Sequence, residues 1–270
     1  MLKGRALLVD GGLRELWTAL NMPASCALAA VGGYGHGQLY PASDVDLLIL
    51  MAEGQHPTGE PKTTQQLEQL VGLLWDIGLD IGHSVRNVRQ CMEEAARDIT
   101  VQTSLLEARY LAGSRALYDD FERSYDAALK PALFFKAKQL EQAERYAKFN
   151  DTPYSLEPNC KESPGGRRDL QAIRWVARAA GIGDDWKSLA KAALITAAEV
   201  RQFERSDRLL SELRIELHLL AARREDRLLF DHQERLAGAM GIAPTESKRA
   251  SEVLMQRYYQ NAKLVTQLNS

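Results

Sequence analysis

The residues best suited to chemistry begin with a glycine-rich stretch at positions 31–37. Gly32, Gly33, Gly35 and Gly37 fall within six residues, so this stretch is not expected to form the interior of a helix. A turn of this kind lets the backbone approach a ligand closely and offers its N–H groups to an anion. A lone glycine-rich loop is a weak motif, and a simple connection between elements remains the alternative.

Two carboxylates follow this glycine turn. Asp44 and Asp46 are two residues apart, so on a strand they point to the same face. They repel each other unless a cation lies between them, and hard oxygen ligands suit Mg²⁺ or Mn²⁺. Asp80, at the start of a later predicted strand, would complete a three-carboxylate cluster that holds two metal ions. The pattern indicates nucleotidyl or phosphoryl transfer, with a turn and a solvated Asp-x-Asp as the alternative.

Short strands and several helices are predicted to position these residues. Apolar runs predict strands over 27–31, 45–51 and 81–85, and helical periodicity covers 13–20, 64–75 and 100–111. Beyond about residue 130 the pattern is helical, over 134–149, 169–180, 196–223 and 248–268, with a Pro- and Gly-rich loop at 150–168. We therefore expect an α+β domain over residues 1–130 and an all-α domain over residues 131–270.

Composition and charge indicate the compartment and the kinds of partner that suit the chain. The net charge is −2, and neither half is basic enough to favour nonspecific nucleic-acid binding. No apolar run is long enough to cross a bilayer. Cys26, Cys91 and Cys160 are too few and too far apart for a disulfide framework or a zinc site. These features predict a cytoplasmic protein without a membrane or nucleic-acid partner.

The glycine turn, the Asp-x-Asp pair and the later acidic residue resemble the polymerase-β-type nucleotidyltransferase superfamily. Longer stretches resemble one bacterial family within it, the PII uridylyltransferases, which are bifunctional uridylyl-transferring and uridylyl-removing enzymes. The resemblance lies in the segments 31–50, 82–86, 156–159, 161–166, 168–171 and 223–233. Several separate motifs in the same order make a chance similarity very unlikely.

The resemblance implies a polymerase-β-like nucleotidyltransferase domain with a small mixed sheet over residues 1–130, followed by the helical domain of the family over residues 131–270. It implies Mg²⁺ or Mn²⁺ as cofactor, UTP as substrate and the PII signalling protein as partner. Asp44, Asp46 and Asp80 would be the catalytic, metal-binding carboxylates. The residues implied to contact the nucleotide are Gly32, Gly33, His36 and Ser43.

The implied reaction transfers UMP from UTP to a tyrosine hydroxyl of PII, with Asp80 as base, and releases pyrophosphate. One alternative is a nucleotidyltransferase that uses ATP or another acceptor, and another is a non-catalytic module that binds the nucleotide or PII. The second alternative rests on two departures, since the family usually has Arg at the position of His36 and Glu at that of Gln38.

The resembled family continues into a metal-dependent HD hydrolase domain and paired ACT domains that sense glutamine. This sequence contains no His-Asp dipeptide. We therefore expect either a portion of a longer protein or a short homologue, which adds a nucleotide but does not remove it.

Overall fold

The computed structural model describes residues 1–54 and 61–269, which form the predicted mixed α+β fold. Its small sheet has four strands, one more than the three that the apolar runs predict. The chain divides into two compact units, residues 1–129 and residues 130–270. The first unit contains α1 (Leu2–Ala19), β1 (Cys26–Ala30), α2 (Gly32–Gly35), β2 (Val45–Met51), α3 (Pro61–Asp76), β3 (Ile81–Asn87), α4 (Val88–Arg97), α5 (Ile99–Leu106), β4 (Arg109–Gly113) and α6 (Arg115–Ala128). The second contains α7 (Pro131–Ala147), α8 (Arg167–Ala179), α9 (Trp186–Lys191), α10 (Ala197–Ala221), α11 (Phe230–Ala239) and α12 (Ala250–Leu268).

The sheet of the first unit has the strand order β3-β2-β1-β4. β1 pairs antiparallel with β2 and with β4, whereas β2 and β3 run parallel. All five residues of β1 are buried, which fits its place inside the sheet. The parallel register pairs Val45 with Ile81 and Asp46 with Gly82. This register brings the predicted acidic positions to neighbouring strands.

The first helix is longer than the periodicity predicts. The prediction begins at residue 13, after Gly11 and Gly12, but α1 begins at Leu2 and runs through both glycines. A glycine inside a helix costs roughly 0.5–1 kcal/mol relative to alanine. The helix buries Ala6, Asp10, Leu13 and Trp17 along one face. Packing of this face outweighs the weak propensity of the two glycines.

The predicted helix over 100–111 is wrong in its second half. Helix α5 ends at Leu106, and Arg109–Gly113 form the edge strand β4. The apolar residues fit a helical period, but pairing with β1 overrides that local preference. Gly113 has φ +87°, and a Cβ atom there would lie 2.4 Å from the carbonyl oxygen of Cys26. Only glycine allows the chain to leave β4 at this point.

The second unit is built around α10 and α12. Leu210, Leu213 and Leu217 of α10 are fully buried, as are Tyr258 and Ala262 of α12. These side chains belong to one apolar cluster, so the helices share a continuous core. In the described residues of this unit, β pairing is limited to an isolated bridge between positions 159 and 227.

Two further features of the described residues bear on the helices and the cysteines. None of the helices in the described ranges combines the length and apolarity needed to span a membrane. Cys26, Cys91 and Cys160 are free thiols, and all three are buried.

Candidate active site

The glycine-rich stretch forms one helical turn, α2, between β1 and the segment that leads to β2. Gly32 has φ +56°, a backbone conformation that glycine adopts without strain. A Cβ atom on Gly35 would lie 2.1 Å from the carbonyl oxygen of Glu107. The turn is joined to the sheet because the N–H of Val31 donates to the carbonyl of Asp46 at 3.0 Å. Glycine is therefore required here by both the turn and the close packing.

Asp46 lies in a recess formed by two glycines. A Cβ atom on Gly82, its partner on β3, would lie 2.6 Å from Oδ1 of Asp46. A Cβ atom on Gly32 would lie 3.3 Å from Oδ2 of the same carboxylate. The carboxylate of Asp46 thus occupies space that exists because positions 32 and 82 carry no side chain.

Asp44 and Asp80 lie at the same end of the two parallel strands. Each directly precedes one of the paired residues Val45 and Ile81, and the N–H of Val45 donates to the carbonyl of Asp80 at 2.8 Å. Asp44 is half-buried and Asp80 is exposed. In residues 1–54 and 61–269, no three His, Cys, Asp or Glu side chains lie close enough together to hold one metal ion. The structure therefore brings the three acidic positions to adjacent strands without gathering them into a closed cluster.

The other predicted nucleotide contacts surround the same turn. Gly33 is exposed in α2, and Ser43 lies in the turn before β2, where its N–H donates to the carbonyl of Tyr40 at 3.2 Å. His36 follows α2 directly. Its Nδ1 atom lies 4.0 Å from Oε1 of Glu107, and its side chain is 18% exposed. The imidazole of His36 therefore lies beside a buried carboxylate.

An open cavity of about 310 Å³ lies on the Asp46 face of the sheet. Besides Asp46, its polar lining includes Ser84 and Arg86 of β3 and Ser104 of α5. Arg86 supplies a permanent positive charge and a planar donor group suited to phosphate. Ser84 and Arg86 lie in the segment 82–86 that carries the resemblance, but the sequence assigns neither of them a role, and Ser104 lies outside the segments that carry it.

A buried ion pair between α1 and β4 supports the glycine turn. Asp10 of α1 is 1% exposed and receives hydrogen bonds from the Tyr34 hydroxyl at 2.6 Å and from both Nη atoms of Arg109, at 2.6 and 3.0 Å. The same guanidinium donates to the carbonyl of Gly35 at 3.1 Å. Burial acts to raise the pKa of Asp10, but the hydrogen bonds from Arg109 and Tyr34 hold that pKa below its usual range.

Replacing Arg109 by methionine tests this support. Arg109→Met leaves the Asp10 carboxylate buried without its main cation, which should lower the free energy of unfolding by about 3–5 kcal/mol. Urea denaturation at pH 7 measures the change. Because Asp10 becomes neutral in acid, the difference from the unsubstituted chain should shrink as the pH falls below about 4.

The control for this prediction is Arg14→Met. Arg14 lies 3.7 Å from the same carboxylate, but its side chain is 49% exposed. Water screens such a pair, so the loss should be about 1 kcal/mol or less. Equal effects of the two substitutions would contradict the assigned role of Arg109.

Comparison with known proteins shows what this chain is similar to. The sequence profile described as GlnD PII-uridylyltransferase matches residues 133–270. Three relatives share the name bifunctional uridylyltransferase/uridylyl-removing enzyme. The protein from Aromatoleum aromaticum is 58% identical over 270 residues, which is 100% of this chain and 31% of the relative. The protein from Bordetella avium is 56% identical over 97% of this chain and 30% of its own length, and that from Nitrosospira multiformis is 54% identical over 100% and 31%.

Among solved structures, a toxin-antitoxin with AMP-PNP aligns with 51% of this chain and 92% of its own, at 19% identity and a TM-score of 0.25, which is too low to carry an argument. The identities to the curated relatives extend over the whole chain, although the chain spans about a third of their length. Together with the profile match, they show that this chain belongs to the GlnD PII-uridylyltransferase family.

Proposed function

We propose that this chain transfers UMP from UTP to a tyrosine hydroxyl of the PII signalling protein and releases pyrophosphate. The observation that carries the proposal is the carboxylate of Asp46, held between Gly32 and Gly82 beside the glycine turn. Relatives named bifunctional uridylyltransferase/uridylyl-removing enzyme are 58% and 56% identical to this chain over 100% and 97% of its length. In the transfer, the tyrosine oxygen forms a bond to the α-phosphorus of UTP while the bond to the bridging oxygen of the pyrophosphate breaks.

The donor set fits Mg²⁺ or Mn²⁺. Asp44 and Asp46 supply hard carboxylate oxygens, and the recess at positions 32 and 82 keeps other side chains away from one of them. Mg²⁺ is usually held by one or two carboxylates, water and substrate phosphates, so a closed protein cluster is not required. A bound metal would neutralise charge on the phosphates and lower the pKa of the attacking hydroxyl. We assign Asp44 and Asp46 as the metal-binding carboxylates, whereas Asp80, which forms no closed cluster with them, keeps only the predicted role of base.

The remaining groups of the site act on the nucleotide and the acceptor. Gly32 and Gly33 allow the triphosphate to approach the backbone of α2. A phenol has a pKa of about 10, so it is almost entirely protonated at pH 7. Asp80 is exposed and directly precedes β3, the strand that pairs with β2. We assign Asp80 as the group that accepts the hydroxyl proton. His36 and Ser43 complete the proposed nucleotide contacts.

We also propose that the reaction takes place in the cytoplasm. Three buried free thiols in one chain suit a reducing compartment. The proposed partners are therefore PII and UTP, and neither a membrane nor a nucleic acid is needed for the reaction.

The direct test is to incubate the chain with PII, each of the four labelled nucleoside triphosphates in turn, and Mg²⁺ or Mn²⁺. Mass analysis of PII should show the addition of one UMP on a tyrosine, with pyrophosphate released in equal amount. Preference for ATP would contradict the assigned nucleotide. Binding of UTP and PII without pyrophosphate release would contradict the transfer itself.

A further inference from the structure

A loop in the second unit fixes the position of one lysine. The side chain of Asn159 accepts hydrogen bonds from the N–H groups of Lys161 and Glu162 at 2.9 and 2.8 Å. Gly165 has φ +76°, and a Cβ atom there would lie 2.2 Å from the carbonyl oxygen of Ala262 in α12. The loop therefore packs in one arrangement, which fixes the backbone from which the Lys161 side chain extends.

Lys161 is poorly matched by negative charge. Its side chain is only 15% exposed, and its Nζ atom lies 3.5 Å from Oε1 of Glu162. That carboxylate is already bound by the guanidinium of Arg168, through contacts of 2.9 and 3.4 Å. Glu162 therefore balances one of two neighbouring cations.

The nearest carboxylate outside this loop that acts on Lys161, among the residues the structure describes, is already bound by other groups. Arg214 of α10 donates to Asp226 at 2.6 Å, and the ring of His218 lies 3.3 Å from the same carboxylate. Burial, followed by the charges of Arg168 and Arg214, lowers the pKa of Lys161 to about 8. Arg168 is paired with Glu162 and Arg214 with Asp226, so neither of these carboxylates is left to balance the ammonium of Lys161 alone.

Arg145, a further cation at the loop, has a donor atom without a partner among the described residues. Arg145 donates to the carbonyl of Glu162 at 2.7 Å and to Asp169 at 2.5 Å, and its side chain is 9% exposed. Its Nε atom is buried and has no hydrogen-bond partner in the part of the chain that the structure describes. Burying the ammonium of Lys161 beside guanidinium groups costs free energy unless an anion compensates its positive charge.

We propose that Lys161, with Arg168 beside it, forms a polyphosphate-binding site in the helical unit. The ligand class is pyrophosphate or the polyphosphate tail of a nucleotide. Several negative charges on adjacent phosphates match an ammonium and a guanidinium that lie side by side. The choice of this ligand rests on the proposed function, because the proposed reaction consumes a nucleoside triphosphate and releases pyrophosphate.

The test is calorimetric titration of the chain with inorganic pyrophosphate at pH 7, without divalent metal. The unsubstituted chain should bind, Lys161→Met should weaken binding by at least about tenfold, and Lys161→Arg should retain it. The matched control is Lys191→Met, since Lys191 is exposed at the end of α9. Unchanged affinity in Lys161→Met, or no binding to the unsubstituted chain, would overturn the proposal.

The pH dependence separates this lysine from other cations. Pyrophosphate affinity of the unsubstituted chain should fall between pH 7 and 9 more steeply than that of Lys161→Arg, because an ammonium with a pKa of about 8 loses its proton in this range. Pyrophosphate itself also titrates with pH, but the effect of this on affinity is the same for both proteins. Parallel pH profiles would exclude Lys161 as the ligand-binding group.

Two further measurements distinguish a ligand site from a structural ion pair and from the proposed reaction. Without ligand, Lys161→Met should melt at the same temperature or higher, whereas a lower melting temperature with unchanged pyrophosphate affinity would show a structural role. UTP should bind more tightly than UMP, and equal affinities would overturn the polyphosphate assignment. If pyrophosphate binds through Lys161 but PII is never modified, the proposed function fails while this site stands.

Discussion

Asp46→Asn is expected to abolish UMP transfer, with a loss of roughly 10²- to 10³-fold or more in kcat. The substitution keeps the shape of the side chain in the recess between Gly32 and Gly82 but removes its charge. A neutral amide holds a divalent metal ion much more weakly than a carboxylate does, and this weakens stabilisation of the charge that develops on the phosphates. Transfer of label from UTP to PII measures the effect.

The fold should tolerate this change. Removing one of two neighbouring carboxylates relieves repulsion, so the free energy of unfolding should change by about 1 kcal/mol or less. Asp76→Asn serves as the control, because Asp76 is an exposed carboxylate at the end of α3 in the same unit. The control should transfer UMP at the normal rate. Near-normal turnover in Asp46→Asn would show that the carboxylate is not part of the catalytic machinery.

Local patterns predicted the strands that carry the acidic residues. The runs at 27–31, 45–51 and 81–85 correspond to β1, β2 and β3, since short apolar segments bounded by turns are typical of buried strands. Periodicity also predicted the main helices of the second unit. Their ends differ by a few residues from the prediction, because caps and frayed turns are weak signals in a sequence.

Some missed elements had recognisable signals. Helix α6 begins after Ser114, whose hydroxyl accepts from the N–H of Leu117, and it buries Tyr118, Phe121 and Tyr125 at helical spacing. Strand β4 is different, because Arg109–Gly113 becomes a strand through pairing with β1. No local pattern distinguishes such a segment from the end of a helix.

The support of the candidate site depends on contacts between distant residues. Asp10 and Arg109 are separated by 99 positions, and their bidentate contact arises only when α1 packs on the sheet beside β4. The sequence does indicate that Asp10 is buried, since Asp10 lies on the apolar face of a helix among Ala6, Leu13 and Trp17. Its partner cannot be chosen from the sequence, because many arginines could reach a single buried carboxylate.

The recess around Asp46 likewise depends on the register of two strands. Gly82 is one of many glycines in the sequence, and only the parallel pairing of β2 with β3 sets it against Asp46. An alanine at position 82 would place its Cβ 2.6 Å from Oδ1 of that carboxylate. The carboxylate is the end of a side chain that can rotate, so the clash is relieved by moving Asp46 rather than the backbone.

Gly82→Ala should therefore lower the transfer activity much more than the stability of the fold. A displacement of the carboxylate by about 1 Å can lower kcat about 10²-fold, whereas the free energy of unfolding should fall by only about 1 kcal/mol. The matched control is Gly72→Ala in α3, where a Cβ meets nothing within 4 Å and alanine should stabilise the helix by up to about 1 kcal/mol. Steady-state transfer to PII and urea denaturation measure both effects. Since the position of Asp46 matters only if its carboxylate takes part in the reaction, unchanged kcat in a folded Gly82→Ala protein would contradict the assignment of this recess as the catalytic centre.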